Sequence, residues 1–126
     1  MGTRIEDALD TAEQLLGIRL ETFLEATPGE PPNAEDFKRL ATEHAFADAW
    51  PRTEHLDVVS RALTSVAIAA TLGVGEPLRG QIRIALHSGA TKEQVVEVFI
   101  QVAVYAGVAR AFQGYQIAGE VFAERA

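Results

Sequence analysis

The sequence predicts an all-α protein of about six helices. Three observations carry that reading. Thr3 with Glu6, and Thr91 with Gln94, have the spacing of capping boxes. Apolar residues recur at three- and four-residue intervals, the helical period. Pro and Gly at 28–32, 51, 73–75, 89 and 107 divide the chain into helix-length pieces.

From the Thr3 cap, Ile5, Leu9, Ala12, Leu16, Leu20, Phe23 and Leu24 form one apolar stripe, which Pro28 and Gly29 break. After the turn-forming PGEPPN loop, Asn33 is placed to cap a second helix, with Asp36 in its first turn. Phe37, Leu40, Ala41 and His44 share a face of it. It ends near Trp50, because Pro51 disfavours helical geometry at the residue before it. Asp57 caps a third helix that runs to about Leu72. Its ALTSVAIAATL core is apolar on nearly every side, and the Thr64, Ser65 and Thr71 hydroxyls can bond back to the backbone. A helix apolar all round belongs at the centre of a domain or of an oligomer. A fourth helix is expected over 76–88 with Gly89 as its C-cap, a fifth from the Thr91 cap to Ala106, and a last over 108–124. Val95, Val96, Val98, Ile100, Val102 and Val104 favour strand, but the upstream cap and the flanking helical period outweigh them.

The 126 residues fit one domain, 1–126, and 48% hydrophobic content makes it globular. There is no cysteine, which excludes disulfides, thiolate nucleophiles and dithiol redox chemistry. A net charge of −7 without a basic stripe speaks against nucleic acid as a partner. No apolar run is long enough to cross a membrane and the first residues lack a signal-peptide pattern, so the expected location is cytoplasmic. The three histidines show no metal-ligand spacing, and the GxG at Gly73–Gly75 follows no strand. No metal and no cofactor is therefore expected.

Candidate chemistry clusters in two places. Trp50, Arg52, His55 and Arg61 surround the connection into the third helix. They read either as a mouth with an aromatic wall and two cations, suited to an anionic small molecule, or as a core Trp with ordinary ion pairs. His55 is the candidate acid or base of this group. Glu97, Gln101 and Tyr105 form a polar line at four-residue spacing on an apolar helix. They line a pocket or hydrogen-bond across a subunit interface.

Phe46, Trp50, Arg52, Leu56, Asp57, Arg61, the run LTSVAIAATLG, Leu78–Arg79, Arg83, Ala85, Leu86, Gly89, Thr91, Glu97, Gln101, Tyr105 and Gly107 together resemble the carboxymuconolactone decarboxylase family. The likeness is nearly continuous from Phe37 onward, while 1–27 shares only its general character. It implies an alkyl hydroperoxidase D-like helical bundle assembled as a homotrimer or homohexamer. The family usually has His where Gln81 stands, Pro at Ala109 and Asn at Gln113. A carboxamide cannot move a proton as imidazole does, but it can donate and accept hydrogen bonds to a carboxylate or enolate. The redox cysteines of the sister hydroperoxidases fall at Val74 and Pro77, so the chain is not a thiol peroxidase.

The resulting expectation is a cofactor-independent decarboxylase, or a related lyase or isomerase, on a small carboxylated or lactone-type substrate. Gln81, His55 and Tyr105 are its candidate catalytic residues, and Trp50, Arg52, Arg61 and Glu97 its substrate-binding ones. Two alternatives stand beside it. One is a non-catalytic ligand-binding or oligomeric scaffold. The other is a cyclase-type tailoring enzyme with an apolar pocket built on Phe46, Phe99 and Phe112.

Overall fold

The computed structural model describes residues 3–125, which are helical without any strand. The chain forms two compact units, Met1–His55 and Leu56–Ala126.

In the first unit, α1 (Arg4–Leu16) begins at the Thr3 capping box and buries Ala8, Leu9, Ala12 and Leu15. It is shorter than the apolar stripe suggests. Gly17 adopts φ 78° and ends it with a left-handed cap, a conformation that costs other residues dearly. Arg19 then hydrogen-bonds Asp10, Glu13 and Glu21, holding the chain folded back on α1. Leu20, Phe23 and Leu24 therefore leave the stripe, the last two for the short α2 (Glu21–Leu24). Phe23 is exposed, with the Lys38 ammonium 5.6 Å from its ring.

α3 (Ala34–Glu43) starts beside Asn33, whose side chain makes no capping bond. The shared face of Phe37, Leu40, Ala41 and His44 is exposed. Ala34, Thr42 and Glu43 are buried instead. Glu43 tolerates burial because Arg39 and Arg4 flank its carboxylate at 3.3 and 3.8 Å. A π-helical turn, His44–Ala49, extends α3 to Trp50, whose N–H donates to the Ala45 carbonyl at 2.9 Å. The helical path ends before Pro51, as expected.

In the second unit, Asp57 caps α4 (Val58–Leu72) by accepting the Ser60 N–H at 3.2 Å. Thr64 and Ser65 donate to the Ser60 and Arg61 carbonyls at 2.7 and 2.9 Å. α4 buries only one face, Ala62, Val66, Ala69 and Ala70. Ile68 and Leu72 are exposed, so within one chain the helix is not surrounded. Gly73 (φ 74°) closes it, and α5 (Gly75–His87) follows, capped by Ser88 rather than Gly89. α6 (Lys92–Ala106) opens on the Thr91–Gln94 capping box, and α7 (Val108–Glu124) begins directly after Gly107. The β-branched run of α6 remains helical.

α4 packs on α5, α6 and α7 around Leu78, Ile82, Ile84, Val66, Val95 and Val121. Burying side chains of this size contributes roughly 1.5–3 kcal/mol each. Gly114 lets α7 approach closely: a Cβ there would lie 2.6 Å from the Phe99 ring and 3.4 Å from Ala70. Arg79 and Arg83 tie α5 to α7 through Glu120 and Glu124, each at 2.7 Å. Those two arginines hold helices together rather than wait for an anion.

Candidate functional site

The sequence-nominated residues fall into both units. In the first, Trp50 is buried at 7% exposure and closes the π-helical turn. Arg52 and His55 follow it on an exposed connection. The nearest acid to His55 is its neighbour Glu54, 3.9 Å away and exposed like it. Nothing here encloses an imidazole in the way proton transfer at a dry site would require.

In the second unit, α4 positions Arg61 one turn after its cap, where it is half-buried and its N–H donates to the Asp57 carbonyl at 2.9 Å. Gln81 stands midway along α5, between the ion-pairing Arg79 and Arg83 and beside the core residue Ile82. The residue is half-buried, and its Oε1 is fully buried without a hydrogen-bond donor. A buried amide oxygen left in that state costs about 1–3 kcal/mol, so such atoms are uncommon and usually have a reason.

Glu97, Gln101 and Tyr105 share a face of α6, as their spacing requires, and all three are exposed. None makes a side-chain hydrogen bond or ion pair among the described residues. Gln101 and Tyr105 line a groove of about 380 Å³ between α4 and α6, floored by Leu63, Ala67 and Val102 and edged by Thr64 and Thr71. Its polar groups are few: two hydroxyls of threonine, one carboxamide and one phenol. Glu97, one turn earlier, does not line it.

A second groove, of about 250 Å³, runs between α6 and α7 along Phe99, Ile100, Phe112 and Tyr115. Apart from the Tyr115 hydroxyl its lining is apolar, and it holds two of the three phenylalanines on which the cyclase-type alternative builds its pocket. Val108 and Tyr115, which complete it, share helical spacing with Phe112, but an outward apolar stripe and a core stripe look alike in sequence. Phe99 and Phe112 do meet here, while Phe46 belongs to the first unit. Neither groove is lined by Gln81 or Arg61. Among the described residues, no three His, Asp or Glu side chains converge as metal ligands would.

An all-α chain with these helices, and with a polar residue buried on the helix after a glycine turn, defines a class of small helical-bundle proteins. Residues 35–120 match the model of the carboxymuconolactone decarboxylase family. This chain belongs to that family. It is also similar to a 4-carboxymuconolactone decarboxylase of Acinetobacter baylyi, at 28% identity over 88 residues. That similarity covers 70% of this chain and 65% of the relative, so the chain spans less than two thirds of the protein it matches. No described helix is long and apolar enough to cross a membrane.

Proposed function

We propose that the chain is a cofactor-independent decarboxylase, or a related lyase or isomerase, acting on a small carboxylated or lactone-type substrate. The observation that carries this reading is the buried, unbonded Oε1 of Gln81, in a family whose similar member is named for decarboxylating a carboxylated lactone. A buried polar atom without a partner calls for a reason, and a bound water or ligand supplies one.

The proposed chemistry stays within the second unit. The Arg61 guanidinium holds the substrate carboxylate, for which its planar fork is well shaped. As the C–C bond to the carboxylate breaks, carbon dioxide leaves and the electron pair passes into the adjoining carbonyl. The Gln81 Nε2–H donates to the resulting enolate oxygen. One positioned donor of this kind is worth about 10²–10³ in rate. A water molecule returns the proton to carbon. The assembly is a homo-oligomer, a reading supported by the exposed apolar residues of α4, α6 and α7.

The test is carbon dioxide release from a panel of carboxylated lactones by the wild type and by Gln81→Ala, Gln81→His and Arg61→Ala. The expected result is turnover by the wild type, a loss of about 10²-fold in Gln81→Ala, and a gain in Gln81→His, where an imidazole adds proton transfer. Absence of turnover in both wild type and Gln81→His, with no ligand-induced rise in melting temperature, would overturn it.

A second reading, a non-catalytic scaffold or ligand-binding member of the family, is favoured by one observation. Tyr105 is 85% exposed, and His55 is similarly open, so neither candidate proton carrier is enclosed.

A further inference from the structure

The π winding of His44–Ala49 is not what its own residues favour. The run HAFADA holds three alanines, the best α-helix formers, and has neither glycine nor proline. Local preference alone would continue α3 through it as ordinary α-helix. The i→i+5 winding is rare and is frequently found at functional sites, so a contact from elsewhere in the first unit must hold it.

Arg4, in the first turn of α1, supplies that contact. Its guanidinium grips Asp48 with both terminal nitrogens, each 2.8 Å from a carboxylate oxygen. Its Nε lies 3.8 Å from Glu43. Glu43 and Asp48 are five residues apart. In an α-helix, at about 100° per residue, their side chains would diverge by about 140°. In a π turn five residues close one turn, so the two carboxylates come to the same side, where one guanidinium meets both. The Arg4 contacts are therefore ones that the π winding permits and the α winding does not. His44, 3.8 Å from Asp48, and Arg39, 3.3 Å from Glu43, lie on the same helical stretch, whereas Arg4 reaches it from α1.

The winding decides where Trp50 points. One residue more in the turn rotates everything after it by about 100° relative to a continuous α-helix. Trp50 is buried at the end of the turn. The Arg52 N–H donates to the Ala49 carbonyl at 3.1 Å, so Arg52 moves with the turn.

We propose that His44–Ala49 is a two-state element set by Arg4. With Arg4 on Glu43 and Asp48 the turn is π-wound and Trp50 is inside. When Arg4 lets go, the segment rewinds as α-helix, and Trp50 and Arg52 rotate by about 100°. The Arg4 side chain is 61% exposed, so a competing anion in solvent can draw it away. Arg4 is thus a positioning residue for two side chains that the sequence nominates for substrate, independently of the chemistry proposed at Gln81.

Trp50 is the one tryptophan, so its fluorescence reads the state directly in the full chain. The variants are Arg4→Met, which keeps the stem and removes the fork, deletion of Ala47, and the two combined. Far-UV circular dichroism and thermal melting check that each is folded. Arg4→Met is expected to shift Trp50 emission to the red and raise acrylamide quenching several-fold, with helicity kept. Deletion of Ala47 removes the extra residue, so an α winding then leaves Trp50 facing inward. Emission is expected to stay at the wild-type position, and Arg4→Met in that background is expected to leave it there. In an ordinary α-helix the same deletion would turn the tryptophan by about 100°. Red-shifted emission or loss of the fold on deletion of Ala47 would overturn the proposal. Wild-type emission and quenching in Arg4→Met would overturn it equally. If Arg4→Met does not fold, Arg4→Lys, a point charge that cannot fork onto two carboxylates, takes its place with the same expectation.

Discussion

Replacing Gln81 by Met separates a residue held for structure from one held for a site. Methionine has nearly the same length and volume as glutamine and no strong hydrogen-bonding atom, so it keeps the packing and discards the amide. In the wild type the Oε1 atom is buried with no donor, which costs about 1–3 kcal/mol against an oxygen left in water. The residue as a whole is only half-buried, so the smaller end of that range applies. Gln81→Met should therefore raise unfolding stability by about 1 kcal/mol, or about 4 °C in Tm for a chain of this size. Urea unfolding followed by far-UV circular dichroism is the appropriate assay. The one tryptophan, Trp50, lies in the first unit and would report the wrong part of the chain. Protein concentration must be held fixed, since association shifts apparent stability. The same variant should lose ligand-induced stabilisation by carboxylated lactones. A loss of stability of 1 kcal/mol or more in Gln81→Met would refute the reasoning, because it would mean the amide is doing structural work in the folded chain.

Other expectations follow from the geometry. Gly73→Ala should cost about 1–2 kcal/mol, because the φ of 74° is strained for any L side chain and the new methyl would overlap the Arg110 guanidinium. Gly80→Ala, in the interior of α5 with open space around a Cβ, should instead gain about 0.5–1 kcal/mol. Thermal unfolding of the pair reads both. Glu30 is held down to about 2, first by the Lys38 ammonium and then by Thr27. Its contribution is therefore present above the ordinary value of 4.5 and is lost as pH falls through that value toward 2. An acid titration of stability should show this loss in the wild type and a shallower one in Glu30→Gln.

The helices of the second unit could be read almost to the residue, and the reason is local. The Asp57 and Thr91 caps act through bonds to residues three positions on, and the glycines at 73 and 107 stop helices by their own backbone preference. The first unit was read less well where the deciding contact was not local. The apolar period of α1 runs on in sequence through Leu24, but Gly17 and the Arg19 contacts to three carboxylates turn the chain back. On α3 the apolar residues face outward because Arg39 and Arg4 make it acceptable to bury Glu43 instead, a choice no period in the sequence records.

The sequence by itself determined that this is an all-helical chain without thiol chemistry and with the residue pattern of its family, since caps, turn residues and composition act at short range. It named Gln81 by what the position usually holds. Only the tertiary structure decided that the Gln81 oxygen is buried without a donor, that Arg79 and Arg83 are occupied by Glu120 and Glu124, and that the polar line of α6 lies open beside apolar grooves. Burial and pairing depend on which helices meet. Helical spacing fixes only which residues share a face, and whether that face meets the core, water or another chain is settled by packing between elements far apart in sequence.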